Sequence, residues 1–571
     1  MKILSLHVDY IKFKPLKKAL KEPEELKEED KKEKNIKEAL VILTAVEKSD
    51  EKNPGKSADL LVDNIKDLAK QVKASNIVLY PYAHLSSQLA SPKTAETILK
   101  DTEAKLKKSF KVTRAPFGYY KEFELKCKGH PLSELSKEIT LEGTKGKGSE
   151  EGEVDYKNLL REISRTRLDT SKLKENDHRI LGQKLDLFSF NEVAPGMVFW
   201  HNNGLTIFNE LVSYWREEHR KAGYQEISTP QILDKKLWQL SGHWEKYRNN
   251  IFMTSYEGKD YAVKPMNCPG GMLVYKSNPR SYKDLPIRTG ELGIVHRQEL
   301  SGVLAGLFRV IKFTQDDAHI FCTEEQLEEE LIGVIELVDK FYKKFGFAYH
   351  VELSTRPEKR IGSDKIWDKS EEILENVLKK KKAKYKINKG DGAFYGPKID
   401  FHIKDSLGRT WQCATLQLDF SMPERFELEY TDQNNQQKRP VMLHRVVFGS
   451  IERFIGVLLE HTNGNLPVWL SPIQVRVISF TDRNVKACKE IIKKFGEKLP
   501  NLRLDADFRD TTVNNKVREA EIQRIPYILV IGDKEEKNKT LAIRKHGEKP
   551  KFGIKIEKFL DEIKKEIEER A

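Results

Sequence analysis

Cysteine is scarce in this chain: Cys127, Cys268, Cys322, Cys413 and Cys488 are the only five among 571 residues. They are too few and too scattered for a disulfide framework, which fits a reducing compartment. No apolar run is long enough to span a bilayer, and no signal-peptide pattern opens the sequence. The expectation is a cytoplasmic protein without a membrane partner. No internal repeat is visible, and compositional bias is confined to a charged stretch at residues 21–35. Charge, by contrast, is plentiful and lopsided: 101 Lys and Arg against 88 Asp and Glu give a formal net charge of +13. Such an excess assists association with a polyanion without saying which one.

A length of 571 residues suits three or four domains of about 100 to 200 residues each. Over residues 1–140, β-like runs (ALVILTAVE, SNIVLYPYAHL) alternate with the amphipathic DLLVDNIKDLAKQVK, which predicts a small α/β domain. TLEGTKGKGSEEGEVD has almost nothing to bury and reads as a linker within 141–175. From 176 to 470 strands and helices mix, with long amphipathic helices at FNELVSYWREEHRKAG and EEQLEEELIGVIELVDKFYKKFG. After LPVWLSP the order VRVISF, KACKEIIKKFGEKL, IPYILVIGD and TLAIRKHG is a βαβ alternation, so 471–571 reads as a separate α/β module. The fold class is thus multidomain, α/β and α+β.

Three potential metal ligands stand out in the central segment: Cys268 in PMNCPGG, His319 in QDDAHIFC and His444 in MLHRVVFGSIERF. Their spacing matches no compact zinc-finger pattern, and a stray Cys or His is more often a packing or surface residue. Taken as a set, three ligands describe a zinc site with one position left for water or substrate. The surrounding phrases carry more. RTGELGIVHRQE with GLFRVIKFTQDDAH resembles motif 2 of class II aminoacyl-tRNA synthetases, AGYQEISTP resembles motif 1, and HRVVFGSIERFIGVLLEH resembles motif 3. With SGHWEKY, AFYGPKIDF and WQCATLQLDF, the Cys/His/His set is similar to the threonyl-tRNA synthetase family over roughly residues 176–571.

That resemblance implies a core built on an antiparallel sheet, ATP with Mg²⁺, one Zn²⁺ per chain on Cys268, His319 and His444, and L-threonine and tRNA(Thr) as partners. Adenylation is an in-line attack of a carboxylate on phosphorus, so cations must neutralise the growing charge, a task the arginine fork suits. By resemblance Arg297 holds the carboxylate and α-phosphate, Glu299 the adenine amino group, Phe313 stacks on the ring, Arg453 closes the other face, and Arg309 and Gln412 contact the nucleotide. Asp317, Tyr395 and Gln417 would line the amino-acid pocket, and His243 would accept a proton from the tRNA 3′-hydroxyl, a packing histidine being the alternative. The sequence departs from many bacterial relatives just before Phe313, with Ile311 and Lys312 where those have Arg and Gly.

A second catalytic domain is expected on chemical grounds. Serine carries the same amino and hydroxyl groups as threonine, and losing one methyl costs only about 1 to 3 kcal/mol of discrimination. MKILSLHVDYIKFK, YPYAHLSS and APFGYYKEFELKCKGHPLSEL resemble the archaeal threonyl-tRNA synthetase editing domain, whose fold is like that of D-aminoacyl-tRNA deacylases. The resemblance places His84, Tyr120, Lys121 and Glu134 around a site for hydrolysing seryl-tRNA. Residues 471–571 resemble the anticodon-binding domain of several class II synthetases, with Glu535 and Arg544 on base edges and Arg509 and Arg518 on the backbone. The motif 1 match implies a homodimer. Two other readings stay open at this point: a class II synthetase for another amino acid, and a paralogue that only binds RNA.

Overall fold

The computed structural model describes residues 1–20, 23–86, 88–130, 132–139, 160 and 173–571. The expected linker lies outside the described residues except for 160 and 173–175. Two compact units emerge, Met1–Asp155 and Tyr156–Ala571.

The first unit is one mixed sheet with two helices. Strands β1 (Lys2–Lys18), β2 (Lys34–Ala45), β3 (Asn76–Pro81), β4 (Lys111–Arg114) and β5 (Tyr119–Cys127) lie in the order β4-β3-β2-β1-β5, and β6 (Glu134–Glu138) also pairs with β1. Helix α1 (Pro54–Val72) starts where the Asn53 side chain accepts from the Lys56 amide and Pro54 fixes φ. It buries Ala58, Leu61, Val62, Ile65 and Leu68, a stripe at helical spacing, against Leu40, Ile42 and Leu79 of the sheet. The alternate residues of β2, Ala39, Val41 and Leu43, pack on the other face with Phe13, Val78 and Tyr80. Both faces of ALVILTA are therefore covered, which explains its unbroken apolar run.

In the second unit the chain runs through α2 (Asn202–Lys221), β7 (Gln225–Glu226), α3 (His243–Tyr247), α4 (Cys268–Lys276), β8 (Ile287–His296), β9 (Lys312–Cys322), α5 (Leu327–Lys344), β10 (Ala348–Ser354), β11 (Tyr385–Asn388), β12 (Lys398–Lys404), β13 (Thr410–Asp419), β14 (Val441–Val446) and α6 (Ile451–Thr462). Eight strands form one sheet in the order β11-β10-β12-β13-β14-β9-β8-β7, antiparallel at every pairing except the two edges, β10 with β11 and β8 with β7. Helices α2, α5 and α6 bury their apolar stripes on one face through Trp215, Phe341 and Phe454. The other face is left for polar side chains. The chain ends in a five-stranded sheet with VRVISF, IPYILVIGD and TLAIRKHG as strands and KACKEIIKKFGEKL as a helix, in line with the alternation in the sequence.

Asp316 on β9 locks this sheet to the turn before α6: its carboxylate accepts from the amides of Val447, Phe448 and Gly449 at 2.9–3.0 Å. Burial raises its carboxyl to about 6 against the pull of Arg445 and those amides. Because the folded value lies above the unfolded one, this group's contribution to stability is present below about pH 4 and declines as pH rises toward 6. Asp316→Ala leaves three buried amides without an acceptor and is expected to lower the unfolding free energy by about 2–4 kcal/mol in a urea titration. A loss below about 1 kcal/mol would show that the turn does not depend on it.

Candidate functional site

The polar face of the eight-stranded sheet carries a cavity of about 380 Å³ whose lining includes Cys268, Arg297, Phe313, Asp317, Tyr395, Gln412, Gln417, His444 and Arg453. Residues from six separate sequence phrases meet there because strand alternation and register bring them together. His319 of β9 lies directly opposite His444 of β14, which in turn lies opposite Gln417 of β13. The two imidazole centroids are 5.1 Å apart. Cys268 is the first residue of α4 and is buried. Its approach is set by Asn267, whose side chain fits only because position 293 is glycine: a Cβ there would fall 2.1 Å from Asn267 Oδ1.

The donor chemistry of Cys268, His319 and His444 fits a zinc ion. His319 Nε2 is buried and has no hydrogen-bond partner among the described residues. Burial, with help from His444 and Arg445, pushes the His319 pKa well below its ordinary value, so the ring is the neutral form a metal requires. His444 Nε2 sits 2.9 Å from Asp419 Oδ2, the carboxylate–histidine pairing that orients a ligating imidazole. Burial and the nearby Asp317 and Asp419 raise the Cys268 thiol far above its usual range, a cost that a dication beside it would reverse. The three ligand atoms do not all lie within 4.8 Å of one another, however, unlike two other clusters in the chain.

Asp316 and Asp317 divide their work by strand alternation. Asp316 is turned to the α6 side, whereas Asp317 lines the cavity and accepts from Asn267 Nδ2 at 3.2 Å. Tyr395 packs at a tilt with its ring centre 5.2 Å from that of His444, and Gln417 donates to the Gly396 carbonyl at 3.3 Å. Arg297 leaves β8 with its guanidinium over the Phe313 ring at 5.1 Å, held by the Pro265 carbonyl at 3.1 Å and facing Gln315 at 3.5 Å. Among the described residues it makes no ion pair with a carboxylate, so it faces the cavity as an unneutralised cation suited to an anion. Arg453, in the first turn of α6, donates to the carbonyls of Phe308 and Gln412. Ser450 caps that turn by accepting from the Arg453 amide. Glu299 and Arg309 pair with each other at 2.9 Å beside the cavity, outside its lining.

Three expectations need correction. His243 is fully buried beneath Phe394 and Tyr395, its Nδ1 3 Å or less from Ser241 Oγ (2.8 Å), and burial lowers its pKa to about 3. As positioned it packs among aromatic rings, and its Nε2 is buried without a hydrogen-bond partner among the described residues. Glu134 lies opposite Leu6 on β1, whereas Lys121 lies opposite Pro15, so roughly 30 Å of strand separates them at about 3.3 Å per residue. In the C-terminal module most expected RNA contacts are satisfied internally: Arg509 pairs with Asp507 and Glu519, Arg544 with Glu521, and Glu535 accepts from the Gly532 amide. Arg518 alone of the four is exposed without a side-chain partner among the described residues. Gln315 and Asp419 were not anticipated, although each lies two residues from an expected pocket residue, Asp317 and Gln417, and so on the same strand face.

In the first unit a cavity of about 530 Å³ is lined by His84, Tyr120 and Lys121 together with Tyr80, Tyr82 and Phe123. Lys121 Nζ donates to the carbonyls of Pro116 and Tyr119 at 2.9 Å and lies 5.2 Å from the centre of the Tyr80 ring. Burial lowers its pKa to about 8, only partly opposed by Glu24. His84 and Tyr120 are exposed at the rim.

A polar-faced antiparallel sheet whose cavity holds two free arginines at motif 2 and motif 3 is the core of a class II aminoacyl-tRNA synthetase, and residues 252–462 match the model described as tRNA synthetase class II core domain (G, H, P, S and T). Residues 1–139 match the Archaea-specific editing domain of threonyl-tRNA synthetase, and residues 474–566 match an anticodon binding domain. A solved structure, the RNA binding domain of threonyl-tRNA synthetase from Cryptosporidium parvum, is 39% identical with a TM-score of 0.66, covering 68% of this chain and 98% of that one. The chain belongs to the threonyl-tRNA synthetase family. A putative threonyl-tRNA synthetase from Aeropyrum pernix is 29% identical with a TM-score of 0.61, covering 69% of this chain and 96% of that one. The threonine--tRNA ligase of Desulfatibacillum aliphaticivorans is 56% identical over 397 residues, 70% of this chain, and the chain spans 62% of that relative's length.

Lys121 is expected to behave as an amine titrating near pH 8. At that pH its acylation by a small amine-reactive reagent, followed by peptide mass spectrometry, should outpace that of an ordinary lysine by about tenfold or more, since its pKa lies over two units below the usual lysine value.

Proposed function

We propose that this chain is a threonine--tRNA ligase that also hydrolyses mischarged seryl-tRNA. The observation that carries the first half is the set Cys268, Asp317 and His444 in one cavity with Arg297 and Arg453, with His319 directly opposite His444 on the neighbouring strand. Arg297 would bind the threonine carboxylate and the α-phosphate of ATP, neutralising charge as it develops in the in-line attack. Phe313 would stack on adenine once Arg297 moves to the phosphate, with Arg453 on the opposite face and Gln412 at the edge; Glu299 and Arg309 would exchange their mutual pair for the nucleotide. Mg²⁺ would accompany the triphosphate. Cys268, His319 and His444 would hold Zn²⁺, which when bound supplies a Lewis acid whose remaining positions suit an amino and a hydroxyl group together, so that valine, lacking the hydroxyl, is refused. Asp317 would accept the hydrogen bond of that hydroxyl, with Tyr395 and Gln417 closing the pocket.

In the first unit, Lys121 would orient or deprotonate water against a seryl ester within the 530 Å³ cavity, with His84 and Tyr120 at its rim. Its lowered pKa supports that role, because a neutral amine is available near physiological pH. The C-terminal module would read the tRNA(Thr) anticodon, with Arg518 as the contact already free to bind. A cytoplasmic homodimer is the assembly this activity and motif 1 suggest.

Exchange of pyrophosphate into ATP should be strong with threonine, detectable with serine and near background with valine. Cys268→Ser should lower the bound zinc by one equivalent per chain and reduce threonine-dependent exchange by about 100-fold or more; exchange undiminished in metal-free protein would overturn the reading. Seryl-tRNA hydrolysis should rise with pH through about 8 and fall by about 100-fold or more in Lys121→Met, the range for loss of an acid–base group. Activity equal to wild type in that variant would remove Lys121 from the chemistry.

A further inference from the structure

We propose that His350, Glu352 and His402 form a second metal site, one that takes a borderline dication of the zinc type. The inference stands apart from the aminoacylation reading and uses none of its residues. His350 on β10 and His402 on β12 are direct partners across an antiparallel pairing, and Glu352 lies two residues along β10 on the same side. Val351 and Leu353 point into the core, as do Phe401 and Ile403, so the three ligands share the polar face of the sheet. They sit toward its outer edge, beyond the Asp400–Gln412 contact.

The geometry is that of a site rather than of a hydrogen-bonded cluster. The two imidazoles stack with centroids 4.9 Å apart and planes 13° apart. Each directs its Nε2 at a different oxygen of Glu352, at 3.5 Å and 3.6 Å, too long for a good hydrogen bond. One ligand atom from each residue lies within 4.8 Å of the other two, so a single ion can reach all three after small rotations. Neither imidazole has another side-chain hydrogen bond among the described residues, while Glu352 is steadied by Asn388 Nδ2 at 3.2 Å. Side-chain exposures of 40% for His350, 21% for Glu352 and 20% for His402 leave an entry path for an ion yet exclude much of the competing water.

Chemistry narrows the ion. Two imidazoles and one carboxylate favour zinc, cobalt, nickel or copper over the oxygen-preferring calcium and magnesium. Lys398, the cation on the same face of β12, is neutralised by Asp391 and Asp400. Three protein ligands leave positions for water. An ion here would clamp β10 to β12, the strand that carries Lys398 into the 380 Å³ cavity.

Co²⁺ titration of the metal-stripped full chain tests this. In a Cys268→Ser background, which removes the only thiolate of the other candidate site, the protein should bind one Co²⁺ with a visible d–d band and no sulfur-to-cobalt charge-transfer band. Adding His350→Ala and His402→Ala should abolish that binding or weaken it by at least about 100-fold, with the far-UV circular dichroism unchanged. The gentler Glu352→Gln should weaken it by about tenfold or more while preserving side-chain shape. Failure of the Cys268→Ser chain to bind Co²⁺, or equal binding after either substitution, would overturn the proposal.

Discussion

A single register row organises the second unit. Thr289, His319, His444, Gln417, Lys398 and Ser354 stand opposite one another across five successive strand pairings, all on the face that the helices leave open. A one-residue slip of any strand would send its members into the apolar layer and bring Leu443 or Leu416 to the cavity. The register is held by what lies behind it: Ile320, Leu443, Leu416 and Ile399 are buried against α2, α5 and α6. Hydrophobic burial on one face thus sets the polar geometry on the other, and His319 and His444, more than a hundred residues apart in sequence, become neighbours.

That geometry is held against electrostatic cost. Burial disfavours the charged forms of Cys268, Asp317 and His319, and Arg297 faces the cavity without a carboxylate. Buried groups left partly unsatisfied lower stability, and their concentration at one cavity marks it as the place where the fold gives up stability for binding. Asp316 is the counterweight, since its three amide contacts anchor the turn from which Arg453 emerges. The first unit shows the same economy on a smaller scale: Lys121 is held by two carbonyls beside an aromatic face, and burial lowers its pKa to about 8.

Much of this was legible in the linear chain. ALVILTAVE, FNELVSYWREEHRKAG and KACKEIIKKFGEKL form the strand and helices that their periodicities predict, because burial against one neighbouring layer imposes a period of its own. Local phrases also located Arg297, Phe313, Asp317 and Arg453, which enter the cavity together. Gln315 and Asp419 could have been found by stepping two residues along the strands that carry Asp317 and Gln417. His243 and Glu134 could not have been sorted this way, since whether a polar side chain meets a ligand or the core depends on neighbours far away in sequence.

The sequence by itself determined the family, the order of its modules and the residue types available for chemistry, because motifs and periodicity are local properties of the chain. Tertiary structure alone decided which of those residues share a cavity, which are sealed away or already paired, and that His350, Glu352 and His402 converge. Those outcomes follow from strand register and burial, where contacts between distant segments fix distance and desolvation together.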